Sequence, residues 1–92
     1  MSIVAFLDLH VAPEFIETAP EILAAVLAQT SAFEGNEGNE TLFDLNDPGH
    51  ITVIERWRSI EDDNAYRAWR AGDGASNLGD ILTGPPTLTW YK

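Results

Sequence analysis

The chain predicts one α+β domain, a four-stranded antiparallel sheet with its helices on one face. Three observations predict it. Four short runs of strand-forming residues lie at 3–11, 41–46, 50–57 and 87–91. Two stretches of helical apolar spacing separate the first strand from the second and the third from the fourth. Turn-rich segments bound every run, and no repeat, low-complexity tract or linker divides residues 1–92.

The first run, "IVAFLDLHV", puts Ile3, Ala5, Leu7, Leu9 and Val11 on one wholly apolar face. Phe6, Asp8 and His10 share the opposite, mixed face. This is a strand with one side against a core.

"APEFIETAPEILAAVLAQTSAF" follows, with Phe15, Ile16, Ala19, Ile22, Leu23, Val26, Leu27, Thr30 and Phe33 at helical spacing. Pro13 suits a first turn, whereas Pro20 lacks an amide donor and obstructs the preceding turn. The unbroken stripe predicts one helix bent near Pro20. The alternative is a fresh helix capped by Thr18, with Glu21 completing a capping box.

"EGNEGNE" predicts a loop, and "TLFDLN" a strand with Thr41, Phe43 and Leu45 on one side. In "NDPGH", proline and glycine stand where a type II turn prefers them. "HITVIERW" then predicts the partner strand of a hairpin, with Ile51, Val53, Glu55 and Trp57 on one face. Ser59 predicts an N-cap with Asp62 in the capping-box position, and Glu61, Asp62 and Asp63 suit the positive end of a helix. Asp62, Ala65, Tyr66 and Trp69 are expected on the inner side of that helix. "AGDGAS" ends it, "ASNLGDIL" predicts a short further turn or helix, "GPP" stops that, and "TLTWY" is the last strand. The order β-α-β-β-α-(α)-β is the ferredoxin-like arrangement.

Composition narrows the function. Fifteen acidic residues against five basic ones give a net charge of −10. Such a chain has no basic surface for nucleic acid or for anionic membranes. With no cysteine, it has neither disulfides nor thiolate chemistry. The first strand carries Asp8 and His10 and does not read as a signal peptide, so a soluble, cytoplasmic protein is the expectation.

Four of the five basic residues and two of the three tryptophans lie in "ERWRSIEDDNAYRAWR", residues 55–70. Asp63, Arg67 and Arg70, at i, i+4 and i+7, predict a salt-bridged ladder on the exposed side of the helix. Arg58 is expected to be solvated and Arg56 to meet Asp8 or His10. Trp57 and Glu55 point toward the helices, while Tyr66 and Trp69 point back at the sheet. A carboxylate on such a face is costly unless paired or wet. Two readings stand: an aromatic-walled cleft holding an acid and a phenol, or a plain aromatic core.

This stretch, with "EGNEGNETLFDLNDPGHITVI" before it, resembles the antibiotic biosynthesis monooxygenase (ABM) family of dimeric α+β barrel proteins over residues 3 to 91. The resemblance implies a protomer that dimerises through its sheet and keeps a cavity between sheet and helices. It also implies oxidation of phenols or quinols by molecular oxygen without metal or flavin, the substrate anion supplying the electrons. By position, Trp57 would line the cavity, Tyr66 stands where relatives place His or an aromatic, and Glu55 matches an acid. Tyr66 and Glu55 are thus the candidate catalytic residues, and Trp57, Trp69 and Leu7 the candidate substrate contacts. Two departures matter. Val53 stands where polyketide-oxidising relatives have Asn, and "AGDGASNLGDIL" has no His with which to ligate haem.

The remaining candidates are weaker. His10 and His50 have no partner at metal-ligand spacing, so a structural or solvated role is expected. The acids Glu34, Glu37, Glu40, Asp44 and Asp47 fit no calcium loop. "GDGASNLG" does not join a strand to a helix as a phosphate loop requires. Three functions are therefore open: a cofactor-independent monooxygenase acting on a phenolic or quinol-type aromatic, a dimeric small-molecule-binding module, and a structural dimer.

Overall fold

A computed structural model describes the whole chain, Met1–Lys92. Four strands, β1 (Ile3–His10), β2 (Asn36–Phe43), β3 (His50–Trp57) and β4 (Thr87–Tyr91), form one antiparallel sheet in the order β2-β3-β1-β4. Helices α1 (Ala19–Ala32) and α2 (Ile60–Ala71) cover one face. This is the ferredoxin-like α+β arrangement that the element order predicts.

β1 is central because its alternation fits a strand covered on one side. Ile3, Ala5 and Leu9 are buried, while His10 is exposed. Leu7 sits between Val53 of β3 and Leu88 of β4. On β3, Ile51, Val53, Glu55 and Trp57 are all buried on the helix side, as their spacing predicts. The core falls into two groups along the sheet. One gathers Leu9, Val11, Leu23, Ile51 and Val53; the other gathers Ile3, Ala5, Trp57 and Tyr66.

Pro20 does not bend a long helix. Residues Pro13–Phe15 form a separate 3-10 turn, and α1 begins at Ala19 with Thr18 as its N-cap and Pro20 in its first turn. There proline's missing donor costs nothing, because first-turn amides lack intrahelical partners anyway. The capping box is not made: the Thr18 hydroxyl instead donates to the Phe15 carbonyl at 3.2 Å.

The hairpin also departs from expectation. "EGNEGNE" is mostly strand, because β2 pairs with β3 from Asn36 onward across an irregularity at Asn36/Gly38. Gly38, at φ 133°, accommodates that bulge. The Asn36 and Asn39 side chains bond one another there. So polar a strand is tolerable at a sheet edge, where it also discourages further pairing. The turn closes with the His50 amide donating to the Asp47 carbonyl at 3.0 Å. Gly49 lacks the positive φ of a type II turn. It is needed for space, since a Cβ there would stand 3.0 Å from the Val11 carbonyl oxygen.

α2 begins as predicted, with the Ser59 hydroxyl accepting from the Asp62 amide at 3.2 Å. Its inward face is rotated by one residue from the expected one. Asp63 and Tyr66 are buried, Arg67 and Arg70 are half-buried, and Ala65 is exposed. The ladder read as solvent-facing therefore lies against the sheet and α1. Those side chains find counter-charges and carbonyls inside, so an acid-base pattern that looks superficial is internal. Arg56 meets Glu40 at 2.7 Å and neither Asp8 nor His10. Arg58 stays largely exposed but forms a two-point pair with Asp62. No helix is long and apolar enough to cross a membrane.

Candidate functional site

A cavity of about 430 Å³ lies between the sheet and the helices. The sheet contributes Leu7, Leu9, Val53 and Glu55, and α1 contributes Leu23, Val26 and Leu27. α2 adds Tyr66, Arg67 and Arg70; the segment from Ser76 to Pro86 forms the remaining wall. The walls are mainly aliphatic, and Glu55, Tyr66, Arg67 and Arg70 are the only ionisable groups on them.

They form two bonded pairs, Glu55 with Arg67 and Tyr66 with Arg70, and the Arg67 guanidinium lies 5.0 Å from the centre of the Tyr66 ring. Arg67 Nη2 donates to Glu55 Oε1 at 2.5 Å, and Trp57 Nε1 donates to the same oxygen at 3.3 Å. Burial pushes the Glu55 carboxyl above the usual carboxylate range; Arg67 and the Trp57 N–H pull it partly back. Behind Arg67, its Nε lies 3.0 Å from Asp63 Oδ1. That approach is out of line for a hydrogen bond and acts as a charge contact.

Arg70 serves a different purpose. Its Nε donates to the Tyr66 hydroxyl, Nη1 to Gln29 Oε1 and the Gly74 carbonyl, and Nη2 to the Val26 carbonyl and Thr30 Oγ1. All five of its donors are thus committed to the protein. The Tyr66 hydroxyl also lies 2.7 Å from Thr30 Oγ1. Since Thr30 donates to the Val26 carbonyl, the Tyr66 proton goes to Thr30. Tyr66 and Arg70 together clasp α1 to α2.

The structure brings Glu55, Tyr66 and Leu7 together on the cavity wall. Trp57 and Trp69 are not on it. Trp57 is fully buried and packs on Tyr66 at 4.9 Å between ring centres, with Phe33 and Trp69 completing an aromatic cluster beside the cavity. The aromatic residues form a core, and the cavity beside it is walled mainly by aliphatic side chains and not by the tryptophans. Asp63, Arg67 and Arg70 were missed as inward residues. The available signal was their spacing with Tyr66, since 63, 66, 67 and 70 share one helical face.

A second polar group lies on the opposite face of the sheet. His50 Nδ1 and Nε2 each stand 2.8 Å from a carboxylate, Asp44 and Asp8 respectively, and the His10 ring stacks on it at 5.0 Å.

An antiparallel sheet covered on one face by two helices places the protein in the ferredoxin-like α+β class, and the family follows from comparison. The family model described as antibiotic biosynthesis monooxygenase matches residues 2–77. The chain belongs to this ABM family. Among solved structures, a conserved protein from Methanosarcina mazei Go1 superposes with a TM-score of 0.83 at 16% identity, covering 100% of this chain and 92% of that one. A Nitrosomonas europaea protein provisionally named an antibiotic biosynthesis monooxygenase gives 0.80 at 20% identity, covering 98% and 88%. A further antibiotic biosynthesis monooxygenase gives 0.79 at 16%, covering 98% and 96%. At these identities the likeness establishes the fold. No curated protein matches the chain.

Proposed function

We propose that the protein is a small monooxygenase of the cofactor-independent kind, acting on a phenolic or quinol-type aromatic held between sheet and helices. One observation carries this reading: an aliphatic cavity whose ionisable wall joins a buried carboxylate to a guanidinium with donors to spare. A flat apolar ring would lie against Leu7, Val53, Leu23 and Leu27, with its hydroxyl toward Glu55 and Arg67. Membership of the ABM family supports the chemistry.

Glu55, rather than Tyr66, takes the proton in this reading. A carboxylate whose proton affinity is raised by burial is a stronger base than an exposed one, whereas the Tyr66 hydroxyl is occupied by Thr30 and Arg70. The O–H bond breaks, its electron pair stays on the ligand oxygen, and Arg67 stabilises that charge. The delocalised anion then reacts with dioxygen at a ring carbon. For an anthrone, the reacting methylene loses two hydrogens and gains one oxygen atom as a carbonyl. The second oxygen atom leaves with those hydrogens as water, so the substrate supplies all the electrons. Trp57 holds Glu55 from behind, and Trp69 covers the aromatic cluster.

We also propose a homodimer formed through the uncovered sheet face. That face carries Val4, Phe6, Leu42, Ile54 and Tyr91, with Phe6 and Tyr91 packed edge to face at 5.0 Å. A 92-residue chain gains stability by covering such a surface. Light scattering at micromolar concentration is expected to give twice the chain mass; a monomer overturns this part.

The test of function is oxygen uptake with a panel of anthrones and hydroquinones, paired with thermal shift. Uptake that Glu55→Gln abolishes supports the enzyme. Stabilisation by the same compounds without uptake identifies a binding module instead. Neither response rejects the cavity as a ligand site.

A further inference from the structure

We propose that Asp63 is a positioning residue of this site: together with Trp90 it holds Arg67 as a guanidinium shared between two buried carboxylates, so that Glu55 is only partly neutralised and serves as proton acceptor. The inference rests on the cavity reading above, and concerns how its base is kept active.

Asp63 is fully buried in the first turn of α2. An acid there complements the helix terminus, but the neighbouring Glu61 and Asp62 do so from the surface, so that function does not require burial. A buried carboxylate is costly unless its partners are good. Its two partners are Trp90 Nε1, which donates to Oδ2 at 2.5 Å, and Arg67 Nε, 3.0 Å from Oδ1. The other end of the same guanidinium meets Glu55. One cation therefore serves two carboxylates, and the group carries a net charge of about −1.

The one other cation on this wall, Arg70, bonds neither carboxylate. Arg70 spends its donors on Tyr66, Gln29, Thr30 and two carbonyls. On the sheet, Glu55 pairs with Ala5 and Asn39, which are uncharged, and α1 brings Gln29 and Thr30 to Arg70. Asp63 thus acts on Glu55 through Arg67 and through its own field, which adds to burial in favouring the protonated Glu55.

The arrangement suits a proton exchange. A ligand O–H breaks, the proton moves to Glu55, and the electron pair remains on the ligand oxygen. Arg67, still anchored by Asp63, can then turn the Nη2 donor released by Glu55 onto the new oxyanion. The net charge of the group is the same before and after, so no uncompensated charge is created in the buried site.

The test follows Glu55 directly by carbon-13 NMR of carboxyl-labelled protein, without ligand. In Asp63→Asn the amide oxygen still accepts from Trp90, but the charge is gone. The Glu55 midpoint is expected to fall by about one pH unit. Asp63→Ser is a second charge-removing variant with the same expected direction. Trp90→Phe removes the indole donor and leaves the charge, so the midpoint should not fall. An unchanged midpoint in Asp63→Asn, or an equal fall in Trp90→Phe, overturns the proposal. In the wild-type protein, an Asp63 carbon reporting a neutral acid where Glu55 titrates overturns it without any variant. A parallel arm tests by absorbance whether the wild-type protein binds 4-nitrophenol. If wild-type protein binds no phenol while the Glu55 midpoint shifts as expected, the cavity reading fails and the charge coupling stands.

Discussion

Arg67 Nη2 stands 2.5 Å from Glu55 Oε1, and this contact ties α2 to β3 across the polar part of the cavity. Glu55 is almost wholly buried, with a side-chain exposure of 4%. Removing Arg67 leaves that carboxylate with only the Trp57 N–H. Arg67→Ala is therefore expected to cost about 3 kcal/mol, as breaking a buried pair does. Urea denaturation would measure it. Arg67→Ala combined with Glu55→Gln should recover part of the loss, because one of the two stranded charges is gone. A loss of only a few tenths of a kcal/mol, typical of an exposed ladder, would contradict the inward placement.

Gly74 closes the C-terminal end of α2, and its amide donates to the Trp69 carbonyl at 2.8 Å. A Cβ built there would stand 2.2 Å from two atoms of the Trp69 indole. Gly74→Ala must therefore displace the ring from its contacts with Phe33 and from under the Arg70 guanidinium, 4.8 Å from its centre. The expected cost is about 1–3 kcal/mol, as for overpacking, with a changed near-UV circular dichroism spectrum. Gly79→Ala, where nothing lies within 4 Å, is the control and should be nearly silent.

Much of this architecture was legible because burial on a strand leaves a period of two. Ile51, Val53, Glu55 and Trp57 could be placed on one face without coordinates. The Ser59 cap was legible for a similar reason, since its bond to the Asp62 amide is local. The inner face of α2 was not. Apolarity is the usual marker of an inward face, and here that face is Asp63, Tyr66, Arg67 and Arg70, held by residues distant in sequence. Gln29, Thr30, Glu55 and Trp90 reach it only once the chain has folded. The same limit hid the cavity's outer wall, because nothing local in residues 76–86 says which surface they cross.

His50 provides a pH test on the other face of the sheet. Hydrogen bonds donated by its ring to Asp44 and then to Asp8 raise its pKa above the ordinary 6.5. The folded state therefore holds this proton more tightly than the unfolded chain. The resulting stability is fully present below about pH 6.5 and is lost as pH rises through the raised value. Asp44 and Asp8, bonded to His50, lie below their ordinary 3.8. Their contribution is present above 3.8 and is lost as pH falls through the lowered values. The difference in melting temperature between wild type and His50→Gln should be largest between those limits and shrink on both sides. A difference independent of pH would show that His50 contributes through packing on His10 alone.

Trp57 and Leu7 separate the aromatic cluster from the cavity, although the sequence made both candidates for holding a ring. Trp57 is fully buried against Tyr66, and its only polar contact is the 3.3 Å bond to Glu55. Trp57→Phe keeps an apolar ring while losing the N–H and some volume, so stability should fall by about 1–2 kcal/mol. It leaves the cavity wall intact, and affinity for an aromatic ligand should change by less than about threefold. Losing the donor removes one stabiliser of the Glu55 anion, so the Glu55 midpoint should rise. Leu7 lies on the wall itself, paired with Val53 and Leu88 at the middle of the sheet. Leu7→Trp would project an indole into the 430 Å³ space and should weaken the same ligand by more than about tenfold, which is 1.4 kcal/mol or more. Isothermal titration with one anthrone or naphthol found by thermal shift would compare the two variants. Loss of binding in Trp57→Phe with retention in Leu7→Trp would place the ligand among the aromatic rings and remove the cavity as its site.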